Sequence, residues 1–160
     1  MQSFSEALPM RLYRALHAVM PRFRAVFAAH GLTEPQWRVL RVLWEREEVA
    51  FRELAQATLV PPPSLVGVID RLQAAGLVTR RRPARDRRQA LVRATARGRT
   101  LERAVTPAVE AVYDELRAAL PPDIHAGLVA GLDALAALGA PAPSAPAAGE
   151  HPTIAEGEQT

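Results

Sequence analysis

Apolar residues recur at steps of three and four along the start of the chain: Leu8, Leu12, Leu16, Val19, Phe23 and Phe27. That spacing lines one face of an α-helix and predicts one over residues 7–29. Pro21 falls inside the pattern and predicts a kink or an interruption, and Gly31 ends the run. Thr33 and Gln36 then form a capping box, with Pro35 in the first turn, where a missing N–H costs little. The helix they open, about 34–46, has Trp37, Leu40, Leu43 and Trp44 on one stripe. A short helix over about 51–57 turns Phe51, Leu54 and Ala55 inward and lacks a good cap. Thr58-Leu59-Val60 and three prolines, Pro61 to Pro63, stop it and open the next helix, about 62–75. Leu65, Ile69 and Leu72 form its buried stripe, and Gly76 stands where a C-terminal glycine belongs.

The period then changes. Leu77-Val78-Thr79-Arg80-Arg81 and Ala90-Leu91-Val92-Arg93-Ala94-Thr95 are short and partly β-branched. The charged, proline-containing loop between them makes the pair read as a β-hairpin. Helical spacing resumes over 97–119 with Leu101, Val105, Val109, Val112 and Leu116, and Pro107 predicts a bend. Pro121-Pro122-Asp123 breaks the chain. A last helix runs to about Leu138 through Ile124, Leu128, Leu132 and Leu135. Residues 1–6 form an arm. Residues 139–160, with four prolines and many alanines, predict a disordered tail.

Composition narrows the function. The chain has 160 residues, 49% hydrophobic and only 5% aromatic, so the core is aliphatic. It has no cysteine, which excludes disulfides, Cys-held metals and thiol redox sensing. No apolar run is long enough to span a membrane and no secretory leader is visible, so a cytoplasmic protein without membrane partners is expected. All 20 basic residues are arginine, and ten of them fall within residues 80–103 beside only two acids. Such a window is the electrostatic footprint of a polyanion binder. A merely solvated run this dense would repel itself.

The short helix, tight connection and following helix form a helix-turn-helix, whose second helix enters the major groove of DNA. With the basic hairpin this makes a winged helix-turn-helix, mainly α with a small β-hairpin wing. Ser64, Gly67 and Arg71 lie at steps of three and four, off the buried stripe, and can face DNA together. Ser64 can donate to a phosphate or base edge, Gly67 permits close approach, and Arg71 can pair with guanine or phosphate. Arg71 could equally hold a nearby carboxylate, and Gly67 could serve a helix crossing. In the loop, Arg85, Arg87 and Arg88 suit a minor groove. Asp86 would be repelled by phosphate, so its role is to brace a neighbouring guanidinium.

Leu32 to Gly98 resembles the MarR family of bacterial transcriptional regulators. The resemblance is carried by Asp86-x-Arg88, then Ala94-Thr95 and Gly98, by Gly76-Leu77-Val78-x-Arg80, and by the helix order across 7–138. The family pattern has Leu where this chain has Ala94. The resemblance implies a homodimer intertwined through residues 7–29 and 97–138, a DNA-binding region at 32–98, and a pseudo-palindromic double-stranded operator. The stripes at 101–116 and 124–135 suit such a dimer, although they could pack within one chain. The chain is similar in particular to a subgroup that represses aromatic-acid degradation, the homoprotocatechuate operon repressors. Leu32-Thr33-Glu34-x-Gln36-Trp37-Arg38 and Pro63-Ser64-Leu65-x-Gly67 carry that likeness. Two departures, Pro62 for Arg and Val66 for Thr, remove polar reach from the recognition helix.

The resemblance also implies an effector pocket where the first helix meets the helix at 34–46. Met10, Arg14, His17, Pro21 and Arg24 share a stripe there. Arg14 and His17 are expected to hold a small aromatic carboxylate, with Trp37 as a flat wall and Arg38 as a second cation. Otherwise those cations are solvated and Trp37 is core. Enzymatic readings find little support: the four histidines are scattered, without HExxH spacing, and no Gly-rich phosphate loop or GxSxG elbow exists. No cofactor is implied. An architectural DNA binder would share the basic hairpin but show little sequence preference. A helical interaction module would leave the basic window unexplained.

Overall fold

A computed structural model of the protein describes residues 3–82 and 90–139. The wing loop, 83–89, and the tail from 140 onward lie outside the described residues. The chain divides into two units, residues 1–119 and 120–160. In the first, α1 (Leu8–Ala29), α2 (Glu34–Glu45), β1 (Val49–Ala50), α3 (Phe51–Thr58), α4 (Pro62–Ala74), β2 (Val78–Arg81), β3 (Leu91–Ala94) and α5 (Ala96–Ala118) follow in order. The second contains α6 (Pro122–Leu138).

The mainly helical fold with a β-hairpin agrees with the sequence pattern. The sheet has one strand more than expected. Its order is β1-β3-β2, all antiparallel, with Val49 opposite Val92 and Val78 opposite Ala94. Two residues are too few to show alternation, so β1 leaves no readable pattern. It also explains how α3 starts without a side-chain cap: the Phe51 N–H donates to Ala90 O at 2.9 Å.

The helices end as their residues dictate. Gly31 and Gly76 both adopt positive φ, +68° and +70°. At each, the next N–H reaches back to the helix: Leu32 N–H to Phe27 O and Leu77 N–H to Leu72 O, both at 2.9 Å. These closures satisfy carbonyls that the helix end would leave open. At the start of α2, Gln36 Oε1 accepts from the Thr33 N–H at 2.9 Å. Of the kink or interruption expected at Pro21, the interruption does not occur: α1 runs unbroken from Leu8 to Ala29. The proline removes one backbone bond, and burial of Phe23 and Phe27 in the following turns outweighs that loss.

The core of the first unit joins Leu40 and Leu43 of α2 to Leu54, Leu65, Ile69 and Leu72 of the helix-turn-helix, with Val78, Val92 and Val105 closing it. All of these are essentially inaccessible to solvent. Phe51, Leu101 and Leu116 are only half-buried. The N-terminal half of α1 departs from its sequence pattern: Leu8, Leu12 and Leu16 are exposed. In α6, described by itself, Ile124, Leu128, Leu132 and Leu135 are exposed too, and no residue is buried.

One junction holds α4, the sheet and α5 together. Thr95 Oγ1 donates to Gly76 O at 2.7 Å and accepts from the Gly98 N–H at 3.0 Å, while the Thr95 N–H donates to Leu77 O at 3.0 Å. Trp44 Nε1 donates to Gly98 O at 3.2 Å. A Cβ on Gly98 would collide with the Leu77 carbonyl, a backbone atom that cannot swing aside. Gly98→Ala is therefore expected to destabilise the fold by about 1–3 kcal/mol, the usual cost of overpacking. A urea midpoint unchanged from wild type would contradict this close approach.

Candidate nucleic-acid interface and effector cavity

The outer face of α4 carries the residues expected there. Ser64 in the first turn and Arg71 near the end are exposed, with Gly67 half-buried between them. The Arg71 guanidinium lies over Gly67, at a distance that a Cβ there would meet as ordinary van der Waals contact, 3.6 Å from Nη1. Among the described residues Arg71 makes no ion pair. Asp70 beside it pairs with Arg80 at 3.4 Å, which ties the outer face of α4 to β2. Arg85, Asp86, Arg87 and Arg88 fall outside the described residues.

The base of the hairpin is pinned by a contact that the sequence conceals. Arg81 grips Glu48 with two parallel bonds, Nε to Oε1 at 2.7 Å and Nη2 to Oε2 at 2.6 Å. The Arg81 hydrogen bond holds the Glu48 carboxyl below its ordinary value, and Glu48 raises that of Arg81. The partners are 33 residues apart, and no local spacing signals such a pair.

A cavity of about 150 Å³ lies where α1, α2 and α5 meet. Phe23, Phe27 and Met20 of α1 and Tyr113 of α5 provide apolar wall, Trp37 provides a flat side, and Glu34 and Arg38 are its charged groups. Trp37 stacks on Phe27 at 4.7 Å between centroids. Its buried Nε1 has no hydrogen-bond partner among the described residues. A second hollow of about 130 Å³, bordered by Arg41 and Trp44, lies on the other side of Trp37.

Two of the four expected ligand residues, Trp37 and Arg38, therefore line this cavity. Arg14 and His17 do not. Both are exposed on α1, and Arg14 donates instead to the backbone carbonyl of Ser5. Neither side chain lines the cavity. Arg24, from the same stripe, does reach α2, meeting Glu34 at 2.9 Å. Glu34 and Tyr113 were missed. Neither has a local signal that marks it as a cavity residue: Glu34 opens α2, and Tyr113 lies on α5, distant in sequence.

Arg38 connects the cavity to the outer face of α4. Its Nη2 binds Glu34, and its Nη1 reaches Thr58 O, the last residue of α3, at 3.5 Å. It also borders the groove that contains Ser64, Gly67 and Arg71.

Residues 30–89 match the sequence profile of the MarR family. Residues of this chain are 34% identical, over 113 residues, to the homoprotocatechuate degradative operon repressor of Escherichia coli. That match covers 71% of this chain and 76% of the relative. The chain belongs to the MarR family. It is a transcriptional regulator of the MarR type, with the winged-helix architecture of that family. Solved MarR-type structures align over nearly their whole length. NadR in complex with 4-hydroxyphenylacetate aligns with a TM-score of 0.71 at 32% identity, covering 86% of this chain and 96% of NadR. The repressor CouR bound to a 23-mer DNA duplex aligns at 0.78 and 29% identity, covering 85% and 96%. No helix among the described residues of this MarR-family chain is long and apolar enough to cross a membrane.

Glu34 links cavity and stability through pH. Burial opposes its charge, but hydrogen bonds from Arg24 and Arg38 outweigh burial and lower its pKa from the ordinary 4.5. A carboxyl lowered on folding stabilises the fold above its unfolded pKa and loses that contribution as pH falls through the folded one. The stability difference between wild type and Glu34→Gln should therefore be largest near neutrality and shrink below pH 4.5. Urea midpoints at pH 7 and in the acid range measure it; a constant gap would contradict the ion pairs.

Proposed function

We propose that this regulator is a homodimeric repressor of a pseudo-palindromic double-stranded operator, released by a small aromatic carboxylate. It would act in the cytoplasm on genes of aromatic-acid catabolism or related functions. The observation that carries the DNA-binding part is the exposed face of α4, with Ser64, Gly67 and Arg71 beside an arginine-rich hairpin. The helix would enter the major groove, and the wing arginines Arg85, Arg87 and Arg88, steadied by Asp86, would reach the minor groove. CouR, whose DNA-bound form aligns along the chain, supports this reading.

Two faces support the dimer. Leu8, Leu12 and Leu16 on α1, and Ile124, Leu128, Leu132 and Leu135 on α6, are aliphatic and uncovered. Contiguous apolar faces of this kind mark interaction sites, and a second copy can cover them by two-fold symmetry. Two-fold symmetry then requires two half-sites, roughly one turn or ~10 bp apart.

The cavity at α1, α2 and α5 supports the effector. At about 150 Å³ it suits a single ring with a short polar arm. An acid seated against Trp37 would compete with Glu34 for Arg38. Because Arg38 also reaches Thr58 O, its displacement would alter the hold on the connection between α3 and α4. The acid would then favour a dimer whose reading heads are wrongly set for the operator, and release follows by population shift. The 4-hydroxyphenylacetate in NadR and the pathway of the homoprotocatechuate repressor support an aromatic acid.

Footprinting with competition between operator and random duplex at fixed salt tests the DNA reading. Two symmetric protected half-sites are expected, and an asymmetric site bound by a monomer would overturn it. Arg88→Ala should weaken binding to all sequences and make the salt dependence of log affinity shallower by about one unit. An unchanged slope would remove Arg88 from the phosphates.

Benzoate- and pyridine-carboxylate-type acids, titrated into the operator complex, test the effector. A ~10-fold loss of operator affinity needs only ~1.4 kcal/mol of coupling. Arg38→Ala should abolish the response, and Arg14→Ala/His17→Ala should retain it. The reverse pattern would move the acid's seat to the exposed face of α1.

A further inference from the structure

The leading end of α4 is built in a way that limits what it can read. A helix N-terminus normally offers several free N–H groups to phosphates. Here Pro61, Pro62 and Pro63 have none, and the Leu65 N–H already donates to Pro61 O at 2.9 Å. The Ser64 N–H is what remains. The side chains at this end are equally poor in hydrogen-bonding groups. The three prolines are exposed, and Val66, 42% exposed, stands one turn beyond Pro63 on the same outer face. Leu59, in the connection between α3 and α4, is 82% exposed and held at φ +53°. A left-handed leucine with its side chain in solvent is unfavourable on both counts.

Leu59, with Val60 and Pro61, borders two open grooves. One, of about 490 Å³, runs past Pro62 to Arg52. The other, of about 530 Å³, runs past Pro63 and Ser64 to Arg38 and Arg71. The surface is thus apolar in the middle and cationic on both margins. A duplex major groove has the complementary layout, with phosphates at both margins and base edges in the middle. Among those base edges the apolar group is the C5-methyl of thymine.

We propose that the proline-capped end of α4, through Pro63 and Val66 with Leu59 beside them, reads thymine C5-methyl groups in each half-site. Methyl contact, and not hydrogen bonding, then sets the base preference under the first turns of the helix. Ser64 and Arg71 remain for polar contacts to either side. The inference rests on the proposal that α4 enters the major groove.

The experiment uses the full chain and a duplex enriched by it from a random pool. Thymines are replaced singly by deoxyuridine, which removes the methyl and keeps the pairing pattern. At one or two positions in each half-site, affinity should fall about fourfold, as expected for one methyl-sized contact at ~0.8 kcal/mol. 5-Methylcytosine, paired with guanine at those positions, should keep more affinity than cytosine, because it restores the methyl. Val66→Ala and Pro63→Ala alter exposed side chains and should each bring the thymine-to-deoxyuridine ratio to one at a different position. Affinity for random duplex at low salt, measured for each variant, is the reference against which its thymine-to-deoxyuridine ratio is read. Equal affinity for thymine and deoxyuridine everywhere, with sequence preference intact, overturns methyl readout. Discrimination retained by both variants overturns the assignment to these residues. If no duplex is bound even at low salt, the DNA-binding proposal fails, and this inference fails with it.

Discussion

The structure depends on the meeting of Thr95 and Gly98 with the Gly76–Leu77 turn. Four elements end there: α4 closes, β2 starts, β3 finishes and α5 opens. Thr95 bonds to Gly76 O and Leu77 O, and Gly98 lets α5 come against the Leu77 carbonyl. Trp44 adds α2 through Gly98 O, and Arg99 donates to Trp44 O at 2.5 Å. Most of these partners are backbone atoms, so the junction fixes directions and not only distances. The reading helix and the hairpin thereby leave one point at a set angle to each other. A winged helix needs that constraint if two reading elements are to engage one duplex.

A second constraint arises from Arg38. It lies between the cavity and the connection into α4, with one nitrogen on Glu34 and the other near Thr58 O. The groove it borders on the DNA side contains Ser64 and Arg71. A guanidinium shared between a half-buried acid and a helix end responds to whatever competes for it. Under the proposed function, an effector would need no long relay, because the same side chain borders both the cavity and the groove at α4.

The uncovered apolar faces of α1 and α6 give the chain a different character at each end of its sequence. The helix-turn-helix and sheet close their own core, with Leu54, Leu65 and Val92 fully buried. The terminal helices keep aliphatic stripes in solvent. Burial of a leucine contributes roughly 1.5–3 kcal/mol, so those stripes are a substantial reserve for association. Under the proposed dimer, a second copy would cover these stripes.

Much of this was legible in the sequence, for local reasons. Helices α2 and α4, the glycine closures at Gly31 and Gly76 and the hairpin follow from periodicity, capping and turn chemistry, which act over a few residues. The exposed positions of Ser64 and Arg71 follow from the same spacing. Periodicity identified the apolar faces of α1 and α6 but not what they pack against, because a stripe has the same spacing whether its cover is in the chain or outside it. It could not find β1, whose two residues are too short to alternate. Nor could it pair Arg81 with Glu48, bring Tyr113 and Glu34 to one cavity, or turn Arg14 and His17 away from it. Those outcomes depend on where distant helices cross, and crossing is set by the shapes that pack between them. The sequence determined the elements and their chemistry; the tertiary structure decided which charges meet and which faces stay exposed.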